Sequence, residues 1–581
     1  AVGRAALSAC TGDSNTAVGK GALELNTSAS NNTAVGKNAL LSNTTGASNT
    51  AVGSLALDAA TTADDNTAVG YQALSATTGS FNTAVGKNAM INNSTGGLNV
   101  AVGVNAMAAV TTANHNVAVG ANSSNQNVTG THNCAVGSYT LQANTTNYQT
   151  AIGAYALNAT TTGGNNTGVG FYALLSNTTG VDNTAVGAYA LDAAVTASYN
   201  TAVGCRALGA CIGSGHCAVG EDALMTMTTG TQNIAMGQSA LRLLTTGNYN
   251  IAIGANTLAT SGSFSSNTAV GHAALNANTA ANNTALGFNA GLSNTSGTRN
   301  VAVGAYALDG CTTSSDNTAV GYQALGGSCT GVDNAAFGSG ALVACSTGAE
   351  NTAIGSGALD ALTTGSNNTA LGRMAGTQQT TGSDNTLLGY YAGQAITTQG
   401  ANTIIGKSAG NNNTASDNTY IGHRCAENAT TGTNNVCIGK ESAPTNATSN
   451  NQFVMGNSNT DNLRCNDTSI SSLSDQRDKT EIVDLPIGLD FINAVRPVRF
   501  KWATRDGNIK DGRVDAGFIA QELQAVESSK SVDYLRLVLD ENPDKLEAAP
   551  NRLFPVLVKA IQELSAKNTA LEARIAALEG S

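Results

Sequence analysis

Small apolar residues recur at a fixed spacing through the first 456 residues. The repeating unit reads Asn-Thr-Ala-Val-Gly, two variable residues and Ala-Leu, followed by a polar stretch rich in Thr, Gly and Asn. Units follow one another every 17 or, less often, 16 residues, which gives about 28 copies between Gly3 and Gly456. A unit this short has no room for a pair of helices. It predicts one coil of a parallel β-roll or β-solenoid, built from two short strands and two turns.

Each position of the unit has an expected role in such a coil. The residue before the glycine, as in Val35, is always apolar and is expected to point into the core. Gly36 would form a corner that needs positive φ or close backbone approach. Ala39-Leu40 would begin the second strand and return an apolar side chain to the core. Asn32 and its equivalents would stack into a hydrogen-bonded ladder along the solenoid.

Composition supports repetitive β structure over an ordinary globular core. Aromatic residues make up 4% of the chain and charged residues 11%, while glycine numbers 66. A globular protein of 581 residues would use more large apolar side chains. The net charge of -11 is spread thinly, which argues against nucleic acid as a partner. No apolar run reaches the length of a membrane span.

The sequence offers little for a metal or cofactor, and neither is expected. Asp182, Asp316, Asp333 and Asp384 precede the Asn of their units, but neighbouring units carry Asn or Ser there, which argues against a calcium ladder. The 11 cysteines show no metal-type spacing. Three of them occupy nearly the same position in successive units, at Cys311, Cys329 and Cys345. They would either form a disulfide between coils or simply fill small buried positions as free thiols.

The repeat resembles the head repeats of trimeric autotransporter adhesins and of related phage and large-virus fibres, on the strength of units such as Asn32-Thr33-Ala34-Val35-Gly36. The resemblance covers roughly four-fifths of the chain. It implies that each chain forms a parallel β-roll and that three rolls pack side by side as a homotrimer. No β-barrel anchor segment follows the repeats in this sequence, which favours the fibre over the autotransporter.

The sequence changes character after about Thr460, where charges become dense and the glycine rhythm stops. Helices are predicted over 490–495 and 517–526, and a strand over 498–502. From Phe554 onward the pattern predicts one amphipathic helix with a coiled-coil seam, in which Asn568 would fix register and oligomeric state. The seam residues are Ile561, Leu564, Asn568, Leu571, Ile575 and Leu578. The alternative is a helix that packs on its own domain.

Four blocks in this region resemble the intramolecular chaperone domain of endosialidases and other tail spikes. They read Ser-Asp-Gln-Arg-Asp-Lys, Arg-Pro-Val-Arg-Phe-Lys-Trp, Gly-Phe-Ile-Ala-Gln-Glu-Leu and Leu-Val-Lys-Ala-Ile-Gln-Glu-Leu. The resemblance implies a small α+β domain that trimerises the chain, promotes folding of the preceding fibre and then cuts itself off.

The first block carries the chemistry for that cut. Lys479, made neutral by burial, would take the proton from the Ser474 hydroxyl, and the oxygen would attack the preceding carbonyl. The expected cleavage therefore falls between Leu473 and Ser474, with Asp475 holding the turn. This chain has Asp478 where the family usually carries Leu, and a carboxylate beside Lys479 would slow or abolish the reaction.

These interpretations divide the chain into a β-roll shaft (1–456), a linker to the cleavage site (457–473), a chaperone domain (474–553) and a coiled-coil helix (554–581). The expected function is a trimeric tail-fibre or adhesin-like shaft for attachment, located on a virion, outside the cell or at a cell surface. Its expected partners are two further copies and a host-surface receptor or polysaccharide. The alternatives are a secreted fibre that polymerises end to end, and a polysaccharide-degrading tail spike. Beyond self-cleavage, no enzymatic turnover is expected.

Overall fold

A computed structural model describes residues 1–460, 464, 474–503, 512–540, 544 and 546–580. By internal contacts the chain divides into two units, Ala1–Thr364 and Gly365–Ser581. The first unit consists of solenoid coils. The second begins with the remaining coils and ends with a small domain of helices and two-stranded sheets. The fold is mainly β, as the repeat predicts.

Each coil of the first unit contributes one three-residue strand to a parallel ladder. In order, β1 to β21 are Thr16–Val18, Thr33–Val35, Thr50–Val52, Thr67–Val69, Thr83–Val85, Val100–Val102, Val117–Val119, Cys134–Val136, Thr150–Ile152, Thr167–Val169, Thr184–Val186, Thr201–Val203, Cys217–Val219, Ile234–Met236, Ile251–Ile253, Thr268–Val270, Thr284–Leu286, Val301–Val303, Thr318–Val320, Ala335–Phe337 and Thr352–Ile354. Equivalent residues are in register, as Ala34 is with Ala51. Val2 adds a single bridge to Val18.

The second unit begins with a parallel ladder of its own and then changes fold. Its solenoid strands, β22 to β27, are Thr369–Leu371, Thr386–Leu388, Thr403–Ile405, Thr419–Ile421, Val436–Ile438 and Phe453–Met455. The domain that follows has strands β28 to β31 at Val498–Lys501, Val514–Gly517, Val538–Leu539 and Glu547–Ala548. Its helices α1 to α3 are Leu489–Ala494, Ala520–Lys530 and Phe554–Glu579. β28 pairs with β29 and β30 with β31, both antiparallel.

Two expectations about the coil are wrong. The residue before the glycine points outward: Val18, Leu286 and Phe337 are 41%, 49% and 40% exposed, whereas the alanine in the middle of most strands is buried. Because neighbouring residues of a strand face opposite sides, Ala and Val cannot both point inward. The core takes the alanine, together with the Ala-Leu pair of the following turn.

The second error concerns that Ala-Leu pair, which was expected to begin a second strand. Ala39-Leu40 lies in a turn, and each coil has one strand only. Asn38 and Leu40 have φ of 61° and 52°, in the left-handed region. That conformation curls the chain and is incompatible with an extended strand. Leu40 nevertheless reaches the core, where it is fully buried.

The glycine and asparagine expectations are confirmed. Gly36 has φ of 138°, and a Cβ placed on it would lie 2.5 Å from the carbonyl oxygen of Gly53 in the next coil. The Oδ1 of Asn32 accepts a hydrogen bond from the main-chain N–H of Asn49, at 2.9 Å. Its Nδ2 donates to the carbonyl oxygen of Gly46, also at 2.9 Å. The same bonds recur in coil after coil, so buried asparagines tie successive coils together.

The described cysteines are free thiols. In the group of three, the Sγ atoms of Cys329 and Cys345 lie 3.9 Å apart without a bond. All three side chains are buried. The alternative of small buried residues therefore describes this structure.

Candidate processing site and oligomerisation helix

The small domain is built around one apolar cluster. It comprises Phe491, Val495, Leu523, Val532, Leu537, Val538, Leu553 and Val556. These residues come from all three helices and from the segments between them, so the cluster holds α1, α2 and the beginning of α3 together. Gly517 belongs to strand β29, and the helix expected from 517 begins at Ala520. The other helices and the strand at 498–501 lie where the sequence predicts them, with ends shifted by a residue or a few.

Two carboxylates support this cluster from within the domain. The buried Glu527 accepts a hydrogen bond from the main-chain N–H of Leu537, at 2.8 Å. Glu563 of α3 accepts one from the N–H of Leu489, at 2.8 Å. Leu489 begins α1, where main-chain N–H groups have no partner inside the helix. Glu563 therefore caps α1 and fixes α3 against it.

The candidate dyad lies at the start of the described part of this domain. The Nζ of Lys479 donates to the Oγ of Ser474 at 2.5 Å and to its carbonyl oxygen at 3.3 Å. The two atoms are within the reach that a general base needs, and to take the hydroxyl proton Nζ would accept this hydrogen bond instead of donating it. Leu473, the other side of the expected cut, lies outside the described residues.

A short 3₁₀ turn at Gln476–Asp478 brings the two dyad residues together. Asp475 caps it by accepting a hydrogen bond from the main-chain N–H of Arg477, at 2.9 Å. The Arg477 guanidinium also donates to this carboxylate and holds the pKa of Asp475 below its usual value. Asp475 therefore acts on the shape of the turn and touches neither dyad side chain in the bonds described.

Burial of Lys479 was expected and is not found in the single chain. All residues from Ser474 to Thr480 are exposed. Removal from water in an apolar pocket is what activates a lysine for such chemistry. The geometry of the dyad is therefore present, while the environment that would activate it is missing from the isolated chain.

The end of α3 extends beyond the domain core. Val556 and Ala560 are buried, but every described residue after Glu563 is exposed. The apolar seam residues Ile561, Leu564, Leu571, Ile575 and Leu578 are between 46% and 71% exposed, and Asn568 is exposed as well. Only the first turns of α3 therefore pack on the domain, and the rest of the helix does not.

Residues 474–532 match the family model described as chaperone of endosialidase. The match begins at Ser474 and covers the dyad, β28, β29 and α2. No curated protein and no solved structure matches the chain. A domain of this family behind a long β-solenoid is the organisation of a fibre-type structural protein. This similarity concerns residues 474–532 alone, and the solenoid is characterised by its own structure.

The described residues offer neither a membrane-spanning helix nor a metal-binding cluster. They contain no helix that is both long and apolar enough to cross a bilayer. They also contain no cluster of three or more His, Cys, Asp or Glu side chains placed to hold a metal ion.

Proposed function

We propose that the chain forms the shaft of a homotrimeric fibre for attachment or adhesion, folded and trimerised by a C-terminal chaperone that then cleaves itself off at Leu473–Ser474. The observation that carries the proposal is the outward apolar column of the solenoid. In coil after coil a Val, Ile, Leu, Met or Phe at the end of the strand stands at the surface of the single chain. A continuous apolar stripe of this length marks a protein–protein interface.

The stripe fits a second and third copy of the same chain. It repeats once per coil, so a partner that covers it must repeat with the same spacing, and another solenoid does. Alanine in the middle of most strands keeps the coil thin, which leaves the larger apolar side chains for contacts between chains. The residues that the sequence analysis placed in the core thus become the residues that join the chains.

The exposed seam of α3 supplies a starting point for this association. Most helical stability in water comes from packing an apolar face, and the exposed end of α3 has no such packing within the domain core. Three copies of the seam would bury it as a coiled coil, with Asn568 fixing the register. Bringing three chains together at their C-terminal ends would align the coils above them.

Self-cleavage follows from assembly in this scheme. When Ser474 attacks, its oxygen bonds to the carbonyl carbon of Leu473 and its proton passes to Lys479. The peptide C–N bond breaks and the new amine is protonated, leaving an ester that water hydrolyses. Because Lys479 is exposed in the single chain, we expect the reaction only where packing of the chains has buried it.

Intact-mass measurement of the recombinant chain over time tests the proposal. The wild type should yield a fragment beginning at Ser474, and a Ser474→Ala variant should assemble and stay whole. Ser528→Ala, at an exposed serine of α2, is the matched control and should be cut normally. Native mass measurement of the same samples should show trimers. A monomeric wild-type chain would overturn the fibre, and a trimer that stays whole would overturn the self-cleavage alone.

A further inference from the structure

Charge is sorted onto the two edges of the outward sheet face. One edge is formed by the residue that precedes the stacked asparagine of each coil. Seven of these residues are acidic, and one, Arg299, is basic. The seven are Asp65, Asp182, Asp316, Asp333, Glu350, Asp384 and Asp417. The other edge is formed by the residue after the glycine that follows each strand. This edge has the opposite charge: seven of its residues are Lys or Arg, and one, Glu221, is acidic. These seven are Arg4, Lys20, Lys37, Lys87, Arg373, Lys407 and Lys440. All five lysines of residues 1–456 lie at this second edge.

We infer that the acidic edge of one chain pairs with the basic edge of the next, so that these charges fix a parallel, in-register trimer. The inference rests on the proposed homotrimer and adds how its chains are oriented. The acidic position comes two residues before each three-residue strand and the basic position two residues after it, so the two positions lie at opposite ends of the strands. The apolar column is therefore bordered by negative charge on one side and positive charge on the other.

In a trimer with rotational symmetry, the two charged edges come into contact with each other. When identical parallel rods surround an axis that runs along them, each chain's first edge meets the second edge of its neighbour. At each seam Asp65, Glu350, Asp384 and Asp417 then lie within one coil of a basic edge residue of the neighbouring chain. In an antiparallel pair, like edges would meet and the charges would repel. The sorting of charge therefore selects the parallel arrangement, which is also the one that brings three copies of α3 to the same end.

The coils of the second unit show the fit in detail. The acidic residues Asp384 and Asp417 precede β23 and β25, whereas the basic residues follow β22, β24 and β26. Strands in a ladder lie about 4.8 Å apart. Asp384 of one chain would then lie between the heights of Arg373 and Lys407 on its neighbour, and Asp417 between those of Lys407 and Lys440. Acids and bases alternate instead of competing for the same height.

These side chains are available for such contacts. Asp384, Asp417, Arg373 and Lys407 are all exposed, and none of them takes part in an ion pair within the described residues. Tyr390 lies between the two cations, with its ring centre 5.7 Å from the Arg373 guanidinium carbon and 6.0 Å from the Lys407 Nζ. These cation–π contacts hold both cations along the edge.

A charge-swap experiment on the full chain tests the inference. Reversing the acidic edge (Asp384→Lys with Asp417→Lys) or the basic edge (Arg373→Glu with Lys407→Glu) makes like charges meet at all three seams. Either variant should lower the midpoint of thermal unfolding at low salt by about 5 °C. The combined four-residue variant has the wild-type net charge and restores opposite charges, so its midpoint should return to that of the wild type. Near 1 M salt, where the screening length is about 3 Å, the differences should shrink.

Two results separate this inference from the proposed function. If the wild type is not a trimer, the proposed function fails and the inference fails with it. If the wild type is a trimer but either edge variant is as stable as the wild type, or the combined variant stays as unstable as its parents, the chains are not paired by these edges. Gln378→Lys with Asn412→Lys adds positive charge at exposed positions away from both edges and should leave the midpoint unchanged.

Discussion

Coils in the two units fill the same core in opposite ways. In the first unit the middle of the strand is small, as in Ala34, and the turn supplies the large residue, Leu40. In three coils of the second unit, those of β23 to β25, the strand supplies the large residue, as with Ile404, and the turn position is small, as at Gly410. A Cβ on Gly410 would lie 2.8 Å from the Cδ1 of Ile404, so the space that leucine fills elsewhere is taken. The coil therefore conserves core volume and lets its source vary.

The neighbouring coils repeat this exchange. Leu387 stands in the strand with Gly393 in the turn, and Tyr420 in the next strand is fully buried beside the same glycine column. The strand glycine never changes in either unit, because its neighbour in the next coil leaves no room for a side chain. Some positions of the repeat are thus fixed by the backbone, and others only by the total volume.

The largest effect should come from breaking what both kinds of coil share. In Gly187→Ala the new Cβ would lie 2.4 Å from the carbonyl oxygen of Gly204, at φ of 137°. Backbone cannot move aside cheaply, so we expect a loss of about 3 kcal/mol in the free energy of unfolding. Gly340→Ala is the matched control: its φ is also positive, at 68°, but nothing lies within 4 Å of the added Cβ. It should cost about 1 kcal/mol.

Equilibrium unfolding in urea would compare the two glycine variants, and hydrogen exchange would localise the damage. Because each coil contacts only its neighbours, lost protection should centre on the coils around Gly187. Equal losses for the two variants would mean that the close approach of successive coils does not constrain this position.

Much of this coil can be read from the sequence. Regular spacing of glycine and asparagine fixes the period, the parallel ladder and the side-chain hydrogen bonds, because each depends on one residue type at one position. The direction of Val35 was misjudged because hydrophobicity alone favours burying the larger residue. A signal was present in Leu387, Ile404 and Tyr420, since large apolar residues replace alanine there where the turn carries glycine or alanine. That covariation identifies the alanine column as the core.

The candidate site divides in the same way. The contact between Ser474 and Lys479 and the capping role of Asp475 follow from local sequence, since all three residues lie within six positions. Burial of Lys479 depends on what packs against it, which no local pattern records. The charged edges escaped notice because their two columns make a pattern only once the strand between them is known to face outward.

An intermediate loss of stability should come from removing the large strand residue in a coil whose turn position is glycine. Ile404→Ala leaves a cavity in a coil whose turn has no leucine to fill it, and should cost about 2 kcal/mol, the lower end of the range for such truncations. Adding Gly410→Leu rebuilds the arrangement of the first unit, in which leucine adopts positive φ at this position. We expect the double variant to recover most of the loss.

The matching control is Gly410→Leu alone, which overfills the core and should destabilise the coil. Urea unfolding of the four proteins gives the coupling between the two positions. Additive losses would show that the strand and turn positions do not share one space.

The smallest effect should come from the one ladder position in the first unit that holds a histidine. His216 replaces asparagine and is buried; its Nδ1 accepts the main-chain N–H of Asn233 at 3.2 Å, and its Nε2 faces the carbonyl oxygen of Gly230 at 2.9 Å. A neutral ring with its proton on Nε2 satisfies both contacts. A second proton, on Nδ1, would point at the Asn233 N–H and remove the acceptor that this N–H needs. Burial lowers the pKa of His216 below 6.5.

The direction of the pH effect follows from that lowered pKa. Between the folded and unfolded pKa values the unfolded chain binds the extra proton, so stability is complete above about pH 6.5 and falls as the pH drops toward the folded value. The loss is at most about 1.4 kcal/mol per pH unit over that window. His216→Asn restores the asparagine of the other coils and should remove this part of the acid sensitivity. Hydrogen exchange at pH 5 and pH 8 around 216–233 is the measurement, and equal acid sensitivity in both proteins would show that the histidine serves the ladder as well when it is protonated.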